Sequence, residues 1–369
     1  MHSASSSAPA ALSAGATADG GSPAATPPSA AESFPAYVEG PEGIDMYTGI
    51  PYWFVHAVGI IGAAVTLAYG LATWVDVLLC GTFYYLRMFG ITAGYHRYFS
   101  HRAYKTGRVF QFILAWLAQM SAQKGALWWA AHHRHHHKDS DGVTDIHSPV
   151  RRGFWWSHIG WVLSRRYEKT NYDAIKDFSR FPELVWLNEH YLVPPLSALA
   201  LAVIFGGLPG LVWGAVIPTV LLWHGTFTIN SLSHVFGSRR YLTTDTSRNN
   251  FLLALITCGE GWHNNHHFHM NTANQGWFWW QVDFTYYVLK FLSFFGIVSD
   301  LKTPKREIKY AFEQYTDEQK AELKAQSGIG FNGWAEKQTF APPVQLPTPT
   351  PEPILAIAPV GALPAAAKS

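Results

Sequence analysis

Four long apolar blocks punctuate this chain, at residues 53–72, 74–93, 191–207 and 208–230. Each approaches the ~20 residues that a helix needs to cross the hydrocarbon of a bilayer. Almost nothing separates the first block from the second, or the third from the fourth. The pattern therefore predicts two helical hairpins. Pro194 and Pro195 fall near the start of the third block, where a helix tolerates proline best. Two further blocks are apolar but interrupted. Residues 109–131 carry Gln111, Gln119, Gln123 and Lys124, and residues 276–298 carry Asp283 and Lys290. These are expected to lie in the interface or against the core, with Trp277, Trp279 and Trp280 at headgroup level. Residues 1–45 and 340–369 are Ala/Pro-rich and read as disordered tails, the first lacking the basic start of a signal peptide.

Charge orients this arrangement. Of 27 Lys and Arg residues, none precedes the first block and only Arg87 lies inside one. The remainder fall in 94–190 or beyond 230, regions that share one face with the N-terminus if the chain crosses four times. By the positive-inside rule that face is the cytoplasm. Only 14% of residues are charged, against about a quarter in a typical soluble domain. The net charge of +2 supplies no basic stripe for nucleic acid. Cys80 and Cys258 sit in apolar surroundings and form neither a disulfide framework nor a metal spacing. The expected fold is thus an all-α integral membrane protein: four spans as two hairpins, under a cytoplasmic helical cap.

Histidine changes the picture, with 18 in the chain. Three clusters stand out: HRYFSH with His96 and His101, HHRHHHK at 132–138, and GEGWHNNHH with His263, His266 and His267. His234 follows Asn230 in NSLSH. The spacing H-x-x-H-H occurs at His133, His136 and His137 and again at His263, His266 and His267. Positions i, i+3 and i+4 share a helix face, so each triplet aims at one point or at two neighbouring points. His96 and His101 would be splayed by roughly 140° on an ideal α-helix, which suits a helix end or two metals. An even number of crossings separates the clusters, so all converge on one face. Were residues 109–131 a span, the first two clusters would face opposite sides.

Some nine histidines exceed what one zinc requires. Two metals with open positions point to oxygen activation, for which redox-active iron is the natural choice. A site at the membrane surface takes a lipid chain from the apolar side.

The ordered motifs GITAGYHRYFSHR, HHRHHHK, GFWWSHIGW, NSLSH and GEGWHNNHH resemble those of the integral-membrane di-iron acyl desaturases, of the stearoyl-CoA type, over roughly residues 45–300. The resemblance implies iron ligation by His96, His101, His133, His136, His137, His234, His263, His266 and His267, with Asn230 acting through water. It implies that Glu260 and Asp145 orient imidazoles, and that Gln123, Trp129 and Thr226 fix a kink in an acyl tunnel. Tyr84 and Met88 would stand near its closed end. Arg165 and Arg166, with Lys124, would meet the phosphates of acyl-CoA. The charged pair that precedes the second box in coenzyme A-type relatives is here Ala131 and His132, which keeps acyl-lipid or acyl-carrier substrates open.

The activity so implied is oxygen-dependent insertion of a cis double bond, at the ninth carbon in the branch resembled. It consumes O2 and draws electrons from a separate ferredoxin or b-type cytochrome. Residues 46–310 would form the membrane desaturase domain and 311–339 a helical extension. Two rivals remain: a hydroxylase or ketolase with the same metal centre, and a metal transporter. The latter would hold its ligands near the bilayer midplane, where only His56 and His224 fall.

Overall fold

The computed structural model describes residues 43–329. Both expected tails lie outside them, except that 43–45 lead into the first helix. Helix α1, Met46–Ala68, is capped by Asp45, whose carboxylate accepts from the amides of Tyr47 (2.8 Å) and Thr48 (2.9 Å). Arg165 pairs with the same carboxylate at 2.9 Å, which ties the cap to the start of α1. Helix α2, Trp74–Phe89, opens with a capping box between Thr73 and Asp76.

Three helical stretches are long and apolar enough to cross a membrane: Met46–Ala68, Trp74–Ser100 and Val193–His234. Only 17% of the first window and 22% of the third is buried within the protein. Large side chains such as Ile60, Ile61, Ile204 and Phe205 face outward, and a surface this apolar demands lipid. Three stretches stand where four helices were expected, because residues 193–234 form one helical run of 42 residues. That run is α6 (Val193–Gly210), a π-helical segment (Leu211–Val216), α7 (Ile217–Asn230) and a 3₁₀ turn (Leu232–His234). It is interrupted at Gly207, whose φ of 60° and ψ of −146° are non-helical. Here the run doubles back: a Cβ on Gly214 would lie 3.1 Å from Ala202 Cβ. The reversal needs the left-handed φ that glycine adopts freely.

The interrupted block 109–131 does not form one helix. α3, Arg108–Gln119, has 12 residues, too few to span. The chain then turns through Ala122 (φ 57°) and Lys124 (φ 64°) before α4, Ala126–Lys138. The glutamines that interrupt the apolar pattern fasten the cap. Tyr98 donates to Gln111 (2.9 Å), and Gln119 donates to the carbonyl of Leu187 (2.9 Å) in α5, Pro182–Glu189. Likewise 276–298 yields only α8, Phe284–Phe294, capped by Asp283. Trp279 is 88% exposed beside it.

Beyond α2 the chain winds without interruption into a π-helix, Gly90–Ser100. It packs so closely on α3 that a Cβ on Gly90 would lie 2.6 Å from the backbone nitrogen of Ala118. The C-terminal segment folds back over the cap. Two short antiparallel pairs hold it, Lys105–Thr106 with Val298–Ser299 and Phe236–Gly237 with Gly328–Ile329. α9, Asp317–Ala325, lies between the second pair's strands in sequence and buries Leu323.

Gly90→Ala forces α2 and α3 apart and lowers stability by about 1–3 kcal/mol. Gly81→Ala, inside α2 at a site where a Cβ meets nothing within 4 Å, raises it by about 0.5–1 kcal/mol. Thermal unfolding of the two variants in detergent checks the contrast.

Candidate metal centre and cavity

The π-helix corrects the expected geometry of the first histidine pair. In its i→i+5 pattern the amide of His101 donates to the carbonyl of His96 at 3.2 Å. The two rings therefore meet edge to face, with centroids 4.8 Å apart and planes 82° from parallel, instead of splaying as on an α-helix. His96, His101, His133, His137 and His266 bring one nitrogen each within 4.8 Å of all the others. Nε2–Nε2 separations are 3.0 Å for His96–His266, 3.0 Å for His101–His133 and 2.9 Å for His137–His266.

A second cluster joins His136, His234 and His267, with His263 Nε2 3.1 Å from His234 Nε2. Both H-x-x-H-H triplets thus divide between two neighbouring points. α4 sends His133 and His137 to one and His136 to the other. The helix His263–Phe268 sends His266 to the first and His263 and His267 to the second.

Carboxylates set the tautomers. His96 Nδ1 meets Glu260, and His136 Nδ1 donates to Asp145 at 3.0 Å, the two acids singled out from sequence. Two more were missed. Asp141 accepts from His234 Nδ1 at 3.1 Å, and Asp245 from His267 Nδ1 at 2.5 Å. The acid-bearing polar loops DSDGVTD and TTDTS were the available signal. With Nδ1 carrying the proton, each Nε2 lone pair points inward, as metal ligation requires. Glu260 is itself braced by Arg97 (3.0 Å), which also pairs with Asp283 (2.9 Å).

The set fits metal. Burial, reinforced by the neighbouring imidazoles, holds His101, His133, His137, His263 and His266 well below the usual histidine range. They are neutral, the ligating form. Burial alone would raise Asp141, but the imidazole of His234 holds its carboxyl at about 2. His267 Nε2 is buried in the second cluster with no hydrogen-bond partner, an unmet acceptor that a cation satisfies.

A cavity of about 850 Å³ runs beside the clusters. Its lining includes the exposed Tyr47, Arg165 and Glu168, the half-buried Thr48, Gln123, Trp129, His133, Thr219, Thr226 and Asn230, and the buried Arg87 and Met120. Gln123 donates to Thr226 at 2.8 Å, and Trp129 stacks on His133 with centroids 4.8 Å apart. Lys124 lines the cavity, its ammonium 5.1 Å above Tyr191.

Some candidates are not brought to this wall. Met88 is fully buried, and a Cβ on Gly225 would meet its methyl at 3.3 Å and the Tyr84 hydroxyl at 2.9 Å. Tyr84 donates to the carbonyl of Ile256 at 2.7 Å. Neither residue lines the cavity, and nor does Arg166. Its buried lining is instead Arg87, which donates to Phe83 O, Met120 O and Thr219 Oγ1. Of the remaining histidines, His132 and His147 line the cavity, and His135 contacts Thr144 O at 2.9 Å.

Lipid-exposed helices capped by two histidine clusters able to hold metal, the first of which opens through His133 on a largely apolar cavity, place the chain among membrane proteins with a candidate metal centre. Comparison with known proteins agrees. The family described as fatty acid desaturase matches residues 72–290. Icosanoyl-CoA 5-desaturase of Limnanthes douglasii is 36% identical over 265 residues, 69% of each chain. The sn-2 palmitoyl-lipid 9-desaturase of a Nostoc species is 33% identical over 212 residues, 56% of this chain and 74% of the relative. The sn-1 stearoyl-lipid 9-desaturase of a Synechocystis species is 37% identical over 216 residues, 58% and 68% respectively. The chain belongs to the fatty acid desaturase family, membrane-bound di-iron oxidoreductases of fatty acid metabolism.

Buried histidines that resist protonation destabilise the fold in acid. Below about pH 6.5 the unfolded chain binds more protons than the folded one, so stability falls as pH falls. The unfolding midpoint of metal-free protein is expected to be flat from pH 8 to 7 and to drop below about 6.5. A midpoint that rises on acidification contradicts this. Asp245→Asn, which loosens His267, lowers iron affinity about 10–100-fold, as read by chelator competition.

Proposed function

We propose that this protein inserts a cis double bond at the ninth carbon of a saturated acyl chain carried on coenzyme A. The balance is one –CH2–CH2– unit, O2, two electrons and two protons giving –CH=CH– and two waters. The observation that carries the reading is the position of His133, which belongs to the first cluster and to the cavity wall at once. A chain lying in the cavity passes directly beside the metal-binding nitrogens.

Residues His96, His101, His133, His137 and His266 would hold one iron. His136, His234, His263 and His267 would hold the other, with Asn230 acting through water. Bound iron supplies the oxygen-activating redox chemistry, which no side chain here provides. The chain's own residues do the positioning. The Gln123–Thr226 bridge and the Trp129 ring confine the acyl chain at the level of the clusters, so that one carbon pair is presented. The wall at Arg87, Met120 and Thr219 limits how far the methyl end travels. The buried imidazoles and apolar lining keep water from competing.

Position nine is supported by relatives named as 9-desaturases, although a 5-desaturase lies equally near. Acyl-CoA is favoured over acyl-lipid because Arg165 and Lys124 bring cations to the lining of the cavity. In this reading the two arms meeting at Gly207 are separate crossings. The protein then spans four times, with the cap and both termini cytoplasmic. Residues 46–310 are the desaturase body and the segment from 311 an extension.

Expression in a host without its own desaturase tests this. Gas chromatography–mass spectrometry of total fatty acids is expected to show a new monounsaturated chain with the bond at carbon nine, absent with His263→Ala. Hydroxylated chains in its place would establish a hydroxylase, and a bond elsewhere would refute position nine.

A further inference from the structure

The proposed reaction draws two electrons from outside the chain, and among the described residues one surface is built to receive their carrier. Phe268 directly follows His267 of the second cluster. Its ring stacks on Tyr241 with centroids 4.6 Å apart and planes 12° from parallel. Tyr241 lies 5.0 Å from Trp277. With Phe278, these rings form a small core of their own beneath the C-terminal segment.

Cations cover this core. Arg240 stands 4.6 Å over Phe278, Lys309 stands 5.0 Å over the same ring, and Arg306 stands 5.9 Å over Tyr310. Lys305 and Arg306 are exposed. The stretch LKTPKREIKY at 301–310 holds four cations and a single carboxylate, Glu307. Several other exposed cations of the cap are neutralised: Arg102 by Asp177 (3.3 Å), Lys105 by Asp300 (3.1 Å) and Arg108 by Glu183 (2.7 Å). Lys305, Arg306 and Lys309 form no ion pair among the described residues.

We propose that Arg240, Lys305, Arg306 and Lys309 form the docking surface for an acidic one-electron carrier protein, which delivers electrons through the Tyr241–Phe268 stack to the metal held by His267. This rests on the desaturase reading. Each docking delivers one electron, the carrier being oxidised and the di-iron centre reduced. Two dockings supply the pair that the reaction consumes. Unpaired cations around an aromatic patch suit the small, transient, electrostatically steered interfaces of redox encounters.

The test uses full-length, iron-loaded protein in detergent. The probes are an acidic plant-type ferredoxin with its NADPH-dependent reductase and, separately, the soluble domain of a b-type cytochrome. Binding is read by biolayer interferometry at low and moderate salt. Turnover is read with the carrier and, independently, as a single turnover in which the protein is reduced anaerobically with dithionite, freed of excess reductant and then given O2. Lys305→Glu/Arg306→Glu is expected to weaken carrier binding and raise the carrier KM by about tenfold or more, with a shallower salt dependence. Dithionite-driven product should be unchanged, which shows an intact site. Lys320→Glu/Lys324→Glu, on α9, is expected to change carrier binding by less than about twofold.

Wild-type binding to neither carrier overturns the proposal. So does a Lys305→Glu/Arg306→Glu variant that binds normally, or an equal loss in the α9 control. A wild type that binds the carrier at this patch yet makes no double bond with either reductant refutes the desaturase reading and leaves the docking surface standing.

Discussion

The structure turns on the cost of packing imidazoles together in a buried place. Nine histidines gather in two adjoining clusters, and the ring nitrogens of seven of them approach a neighbour to about 3 Å. If they were protonated, the mutual repulsion in so dry a site would be prohibitive. Burial and the neighbouring imidazoles keep His101, His133, His137, His263 and His266 neutral. Glu260, Asp145, Asp141 and Asp245 accept from Nδ1 of His96, His136, His234 and His267, so that the Nε2 lone pairs of those four face inward. A cluster of bare lone pairs is itself unfavourable until a cation occupies it. The cap is therefore a folded arrangement whose lowest energy is reached only with metal bound, and metal affinity and cap stability are one quantity seen from two sides.

Local backbone departures serve that convergence. The π-helix at Gly90–Ser100 brings two histidines five residues apart into edge-to-face contact. The left-handed residues Ala122 and Lys124 turn the chain from α3 into α4, and Gln123 between them reaches across to Thr226. Such conformations are stored at functional sites because regular helices cannot deliver side chains there. Arg97, wholly buried and shared between Glu260 and Asp283, braces the same region. The metal ligands are thus fixed through a second layer of charge.

The membrane and the cap divide the labour. The lipid-facing helices bury little of their own surface, so the bilayer provides most of their apolar contact. The cap buries much of its polar network, including Arg97, Asp141, Asp145, Asp245 and Glu260. The cavity passes between these two environments, apolar toward Met120 and bordered by cations at Arg165 and Lys124. Its shape suits an amphipathic chain with a charged head. The aromatic core under Arg240 and Lys309 reaches from the cap surface to Phe268, the residue after His267.

Much was legible in the residues alone. Helix-length apolar blocks report hydrophobic transfer directly, and the H-x-x-H-H spacing reports which side chains share a face. Membrane class and the clustering of histidines therefore follow from local order and residue type, and the family from the ordered motifs. Local order does not contain the winding of residues 90–100, and an α-helical reading splays His96 from His101. Nor does it reveal that residues 193–234 are one helical run reversing at Gly207, or that 109–131 breaks at Met120 into two short helices. It does not show which carboxylate meets which imidazole, since Asp141 and Asp245 reach His234 and His267 across gaps of 93 and 22 residues. The division of nine ligands into two groups, the wall formed by Arg87 where Met88 was expected, and the cations gathered over Phe278 were decided by tertiary structure. These features depend on distances between segments remote in sequence, which are set by the packing of the whole cap and have no periodicity to betray them.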